Sequence, residues 1–361
     1  MSYDHLRDRL AEFDRDESDS NRIVSLPDGS IDRRYAVDGD DGARIDTPAE
    51  LGRQLESNRE TFPLTPVDTR PGGQATNAAQ QIHALGEDAT LVGYLDHPIF
   101  EALEFETYSM GTPAVINVFA FDDSEVLLPE PGPTDDWSID ALDTVIDWER
   151  VVGADALCCV NWVSVRGQTD VFDRLRTNPP SPSSPATLPI VVDPGALGIP
   201  DDGAVSDFFE TLSETDAVDS LAVVLNVNPQ EFDRTAAVLG IDADGSGESV
   251  RERLAAVRTE LGVTAVVVHG SEAAHAATAD DAVTVPMVEI DDPSDTTGAG
   301  DRFSGALACA LARGWAWETA LALGNACAAH FVETAATPTP DQLRTFLENR
   351  AESRSGGEIR D

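Results

Sequence analysis

Asp295-Thr296-Thr297-Gly298-Ala299-Gly300-Asp301-Arg302-Phe303 follows an extended run over 283–290 and opens a stretch of small residues that reads as a helix from Asp301 to about Arg313. Gly298, Ala299 and Gly300 let the chain turn with little side-chain obstruction, so consecutive N–H groups are exposed at a helix start. The macrodipole adds partial positive charge there, and the two together make an anion site. A carboxylate beside such a site can take a hydroxyl proton while the N–H groups stabilise charge on a transferring phosphoryl group. Asp301 stands at that position. Aspartate also caps helices in its own right, and that plainer reading would suffice for an isolated Gly-Asp pair.

Working outward, short apolar runs at 22–26, 90–95, 156–161, 189–193, 221–226 and 265–269 are separated by helix-like stretches. The latter fall at 76–85, 138–150, 206–213, 229–239, 248–261, 301–313 and 315–333. The alternation predicts an α/β fold, a doubly wound and mostly parallel sheet with helices on both faces. Between 109 and 132 the pattern changes: SMGTPAVINVFAFDDSEVLLPEPG reads as two alternating strands joined by a turn at 122–124. With a stretch at about 29–45 these strands predict a small antiparallel β lid over a site. Residues 1–21 read as an acidic N-terminal extension carrying weak apolar spacing (Leu6, Leu10, Phe13), 22–345 as one domain, and 346–361 as a polar tail. The Pro/Ser-rich stretch 176–188 reads as a surface loop.

The 361 residues carry a formal net charge of −42, and all 24 basic residues are arginine. Nothing would neutralise phosphates over a broad surface, so nucleic-acid binding is not expected. Acidic residues are spread along the whole chain. Such self-repulsion is screened at about 1 M salt, where the Debye length is roughly 3 Å, so the composition predicts adaptation to molar intracellular salt. No run approaches the roughly 18 apolar residues of a membrane span, and the polar start predicts neither a secretory signal nor an anchor. Cys158, Cys159, Cys309 and Cys327 lack metal-ligand spacing and read as small buried hydrophobes in a reducing cytoplasm.

The string Asp-Thr-x-Gly-Ala-Gly-Asp-x-Phe at 295–303 resembles the C-terminal signature of the ribokinase-like (PfkB) carbohydrate kinases. By that resemblance Asp301 is the catalytic base, Gly298, Ala299 and Gly300 form the anion hole, and Asp295 helps hold a potassium ion behind it. Gly72-Gly73-Gln74-Ala75-Thr76-Asn77-Ala78-Ala79 resembles the family's second signature, placing Gly72 and Gly73 at the hinge between lid and core and Asn77 on sugar hydroxyls. A plain helix start would also explain the paired glycines. Pro27-Asp28-Gly29-Ser30-Ile31-Asp32 is similar to the family's Gly-Asp-x-x-x-Asp, which makes Asp32 a substrate ligand, and Asn161 is expected to face the sugar. Asn228-Pro229-Gln230-Glu231 is similar to Asn-x-x-Glu, implying nucleotide contact for Asn228 and Mg²⁺ held by Glu231 through water. Val268 to Ala273 occupies the place of a Thr-x-Gly-x-x-Gly nucleotide loop, with His269 and Gly270 in it, and Asn325 lies on the helix that borders the adenine. Asp193-Pro194 ends a strand at the site edge.

The resemblance spans roughly 22–345 and implies a kinase moving the terminal phosphoryl group of ATP to a sugar-type hydroxyl, with a homodimer through the lid as a further possibility. A nucleoside kinase, or a sugar- or nucleotide-binding sensor without chemistry, would share the scaffold. Two departures stand out. The segment 94–100 reaches the lid sooner than in the family, and Gln74 stands where some members have lysine. Any cationic phosphate clamp must be arginine or metal, with Arg33, Arg34, Arg70 and Arg166 as the available arginines.

Overall fold

The computed structural model describes residues 2–14, 20–39, 42–57, 59–122, 124–134, 137–180, 187–241, 249–290 and 295–356. Strands β1 (Arg22–Leu26), β4 (Asp88–Gly93), β5 (Glu106–Ser109), β8 (Ala156–Val160), β9 (Leu188–Asp193), β10 (Leu221–Val227), β11 (Ala265–His269), β12 (Ala273–Ala277) and β13 (Ala282–Pro286) form one sheet. Its order is β13-β12-β11-β10-β9-β8-β1-β4-β5, parallel except for the antiparallel pairings of β12 and β13. Both faces are covered, which is why the central strands read as continuous apolar runs. Alternate side chains enter opposite cores: Cys158 packs in one and Cys159 in the other. All four cysteines are buried free thiols.

Helices α3 (Gln74–Ala84), α10 (Ala299–Ala312) and α11 (Trp317–Thr334) cover one face. The small residues of α10 allow close helix packing: a Cβ on Gly305 would lie 2.5 Å from the Ala78 carbonyl of α3. The opposite face carries α4 (Ile139–Asp143), α5 (Trp148–Val152), α6 (Thr169–Thr177), α7 (Asp202–Asp216), α8 (Pro229–Val238) and α9 (Val250–Leu261) around Trp162, Phe172 and Phe208. The single helix expected over 138–150 is thus two, each with its own N-cap residue, Ser138 and Asp147.

The N-terminal extension is docked. Helix α1 (Ser2–Leu10) buries Leu6 and Leu10 completely, and Phe13 meets Trp315 edge-on at 5.4 Å. The boundary expected at 345 falls inside a helix, α12 (Pro340–Gly356), whose Phe346 and Leu347 are buried in the same core. The folded body therefore continues past that point, because the apolar face of α12 does. Residues 181–186 of the expected Pro/Ser loop, and 15–19 and 357–361, lie outside the described residues.

The lid has four strands, where the expectation was one stretch at about 29–45 and two strands between 109 and 132. Strands β2 (Ser30–Val37), β3 (Leu64–Gly72), β6 (Ala114–Ala120) and β7 (Glu125–Glu130) pair in the order β3-β2-β6-β7, with α2 (Pro48–Glu56) between β2 and β3 in the chain. Its pairings are antiparallel, as expected, except between β2 and β6, which run parallel. The reason is topological. Each leaves the carboxyl end of a parallel strand, β1 and β5, so both enter the lid in the same direction. Ser109, expected in the lid, instead ends β5 at the edge of the large sheet. Strand β3 carries Pro66 and Pro71 and is mostly exposed, as an edge strand can be, and it shows no apolar alternation.

Candidate active site

From β1 the chain runs outward through β4 and β5, then returns to build β8 to β11 on the other side of β1. Ligands in such sheets bind beyond the carboxyl ends of the strands at this reversal. Asp28 follows β1, Asn161 follows β8, Asp193 ends β9, Asn228 follows β10 and His269 ends β11. The first turn of α10 points at the same place.

The loop before α10 is built around Gly298, whose φ of 90° suits glycine. A Cβ there would come within 2.5 Å of the Arg302 Nη1 and 3.1 Å of the Asn77 Nδ2. The Ala299 N–H turns back to the Thr296 carbonyl at 3.3 Å, and the Arg302 N–H reaches the Gly298 carbonyl at 3.2 Å. The N–H groups of Gly300 and Asp301 have no backbone acceptor among the described residues, which leaves these two of the expected donors available to an anion. Asp301 is buried, and its carboxylate accepts from Asn77 Nδ2 at 2.7 Å and Gln74 Nε2 at 3.3 Å. Two amides thus orient this carboxylate. Behind the loop, Arg302 donates to the Gly298 carbonyl at 3.1 Å and lies 4.0 Å over the Phe331 ring. Burial lowers its pKa to about 10, so it stays cationic at neutral pH.

On the acceptor side, the buried Asp28 accepts from the N–H groups of Ala75 (2.7 Å) and Gln74 (3.2 Å), capping α3 from a neighbouring loop because Gly73 has no side chain to do so. Burial, offset in part by these bonds, raises its pKa to about 6. Asn161 donates to Asp28 at 2.6 Å from an unusual φ of 55°, so its amide braces Asp28. Asp32 accepts from Ser30 at 2.7 Å, and burial raises its pKa. Gly72 leaves room for that carboxylate, which a Cβ would strike at 2.2 Å. Residues 94–100 back this side: a Cβ on Gly29 would meet Leu95 at 2.5 Å and the Tyr94 carbonyl at 2.8 Å.

On the far side of Gly300 opens a cavity of about 980 Å³, lined among others by Asn228, His269, Gly270, Ala299, Gly300 and Phe303. The Asn228 side chain caps α8, accepting from Gln230 N and Glu231 N, while Glu231 accepts from the Asn228 N–H at 2.9 Å. This capping box holds Glu231 at the strand ends. His269 stacks on Phe303 with ring centroids 5.1 Å apart, and its Nδ1 meets Asn226 Oδ1 at 3.1 Å. Asn226 Nδ2 passes to Ser304 Oγ at 2.9 Å, and Ser304 reaches Asp193 Oδ2 at 2.9 Å. Bonding Asn226 through both amide atoms puts the His269 proton on Nδ1. Burial lowers the His269 pKa to about 4, so the ring is neutral. Burial raises Asp193 and Glu231; the charge of Glu231 adds to the shift of Asp193, and that of Asp301 to both.

Asn325 departs from expectation. It is fully buried, donating to the Val285 carbonyl at 3.1 Å, while Ala328 and Ala329 of the same helix line the cavity. A fully apolar-sided helix hides which turn faces the pocket. Asp295 departs too: its carboxylate is taken by two guanidinium groups, Arg70 at 2.8 Å and Arg34 at 3.2 Å. Of the other arginines, Arg166 stacks over Trp162 at 4.3 Å, bonded to the Val163 carbonyl. Sequence reasoning did not assign Asp28, Gln74, Asn226, Ser304 or Arg302 to the site. For Asp28 and Gln74 the signal was present, since both sit inside motifs singled out on other grounds.

Fold and site together define a phosphotransferase of the ribokinase-like class. The family model for prokaryotic ketohexokinase matches residues 43–350. A ketohexokinase of Haloferax volcanii is 31% identical over 356 residues, 91% of each chain. Among solved structures, a ribokinase from Thermotoga maritima superposes with a TM-score of 0.63 at 20% identity, covering 91% of this chain and 99% of that one. A nucleoside kinase from Methanocaldococcus jannaschii gives 0.62 at 15% identity, covering 91% and 98%. The chain belongs to the prokaryotic ketohexokinase family, and it is a carbohydrate kinase whose acidic composition suits molar salt. Among the described residues no helix is long and apolar enough to cross a membrane.

Proposed function

We propose that this kinase transfers the terminal phosphoryl group of ATP to a hydroxyl of a ketohexose. The observation that carries the reading is the placement of Asp301. Its carboxylate is held by Asn77 and Gln74 on the acceptor side, while the free N–H groups of its own helix start adjoin the 980 Å³ cavity. A nucleotide in that cavity would rest against His269 and Gly270 with its phosphates toward Gly300. A sugar between Asp32, Asn77 and Asp301 would offer its hydroxyl to the carboxylate, which takes the proton as the oxygen attacks phosphorus. The two N–H groups and the Arg302 charge behind them stabilise the oxygens of the transferring group. Lid closure would exclude water.

The donor set suits Mg²⁺ held indirectly. Burial raises Glu231 and Asp193, and the negative charge of Asp301 adds to both shifts, a repulsion a divalent cation would offset. Mg²⁺ would supply charge neutralisation between the phosphates.

We assign the enzyme to the cytoplasm on the strength of its four buried free thiols. The exposed Leu64, Val67, Leu127 and Leu128 on the outer lid strands favour a homodimer through the lid, which light scattering in KCl would test. The activity itself is tested by ADP release over a panel of ketohexoses, aldoses and nucleosides in roughly molar KCl. Turnover with a ketohexose supports the reading. Turnover with a nucleoside alone moves the enzyme to the nucleoside kinases, and binding without turnover makes it a sensor.

A further inference from the structure

The Asp295 carboxylate is 3% exposed and accepts from Arg34 and Arg70 on one oxygen and from the Thr297 N–H, at 3.0 Å, on the other. The arginines come from β2 and β3 of the lid. Arg34 also pairs with Glu125 of β7 at 2.5 Å, and Glu125 accepts from the Thr297 hydroxyl at 2.6 Å. Three lid strands therefore grip Asp295 and Thr297, just ahead of the glycine turn. Within this knot two guanidinium charges meet two carboxylates, with Asp68 at its edge, 4.0 Å from Arg34. The Arg70 pKa reflects the contact: burial lowers it, but the bond and charge of Asp295 outweigh that and raise it.

A potassium ion does not fit this arrangement. The oxygen that would face it is already shared by the Arg34 and Arg70 guanidinium groups, and a third cation there would be repelled by both. We infer that Arg34 and Arg70 supply the positive charge beside the anion loop in place of a monovalent cation, and that they tie lid closure to the assembly of the anion hole. Opening the lid would strip a buried carboxylate of both partners, a costly state that favours the closed, assembled loop. Arginine serves here because its planar fork can hold Asp295 and Glu125 at once, which a lysine ammonium does less well. The two arginines are positioning residues. They act on the reacting groups through Asp295 and Thr297.

The inference rests on the kinase reading, and its test separates the two. ADP release is measured on the full chain with its accepted sugar at constant total salt, K⁺ replacing Na⁺ step by step. No turnover in any salt would defeat the kinase reading. Turnover that shows no saturable response to K⁺ supports the arginine assignment. A saturable activation by K⁺ of about tenfold or more, in the range of ordinary coupling between sites, would overturn it. The Arg34→Gln/Arg70→Gln double variant should lose roughly tenfold in kcat and acquire a saturable K⁺ response, because Asp295 is then free to bind the ion. A folded double variant with wild-type kcat and no K⁺ response would overturn the coupling. Should circular dichroism show it unfolded, Arg70→Gln alone is read the same way.

Discussion

The amide of Asn77 donates to the carboxylate of Asp301 across 2.7 Å, joining the starts of two helices 224 residues apart in the chain. Both helices pack on the same face of the large sheet, and their N-termini converge where the strand order reverses. The bond orients the carboxylate. Helix packing thus sets the alignment of the Asp301 side chain.

Replacing Asn77 with alanine should release one oxygen of Asp301 while Gln74 retains the other. Turnover is expected to fall, by up to roughly 10²-fold if the base is misplaced by an ångström, with the fold intact. Steady-state kinetics read this directly: a change confined to sugar KM would assign Asn77 to binding alone.

Gly298→Ala places a Cβ 2.5 Å from the Arg302 guanidinium on a residue with φ of 90°. The backbone strain alone costs about 1–2 kcal/mol. Urea denaturation in molar KCl should register this loss, together with a drop in kcat as the loop shifts. Unchanged stability and rate would show that the turn does not need glycine.

Much of this was legible in the sequence, for reasons that particular residues make clear. The glycine turn and Asp301 are local: sequence neighbours build them, so a nine-residue string suffices. The strands of the parallel sheet announced themselves because burial on both faces demands unbroken apolar runs. Strand β3 did not, since its prolines and exposed polar residues leave no periodic trace. The roles of Asp28 and Asp295 depend on partners far along the chain. Asp28 meets the N-terminus of α3, and Asp295 meets two lid arginines more than two hundred residues upstream. Asn325 was misplaced because α11 is apolar on every side and the pocket touches only one of its turns.

His269 has its pKa lowered to about 4 from 6.5 by burial. The unfolded chain therefore binds a proton that the folded one refuses between those values. This contribution to stability is full above pH 6.5 and is lost as pH falls toward 4. His269→Gln removes it, so thermal melts should show a shallower loss across that window than in the wild type. Parallel curves for the two proteins would mean that the ring titrates normally.

Glu231→Gln removes one of the crowded carboxylates while keeping an acceptor for the Asn228 N–H. The Mg²⁺ concentration for half-maximal rate should rise several-fold, and the fold should survive, since the capping bond is worth only about 1 kcal/mol. A Mg²⁺ titration of the rate with an unmoved midpoint would remove Glu231 from the metal's surroundings.

The kinase reading makes Asp301 the group that takes the proton of the acceptor hydroxyl. Asp301→Asn preserves the size of the side chain and keeps an acceptor for Asn77, but removes its proton affinity. In the ADP-release assay with the accepted ketohexose, kcat should fall by about 10²–10⁴-fold, with circular dichroism and nucleotide affinity unchanged. A folded Asp301→Asn enzyme that phosphorylates the sugar at near wild-type rate would contradict the account.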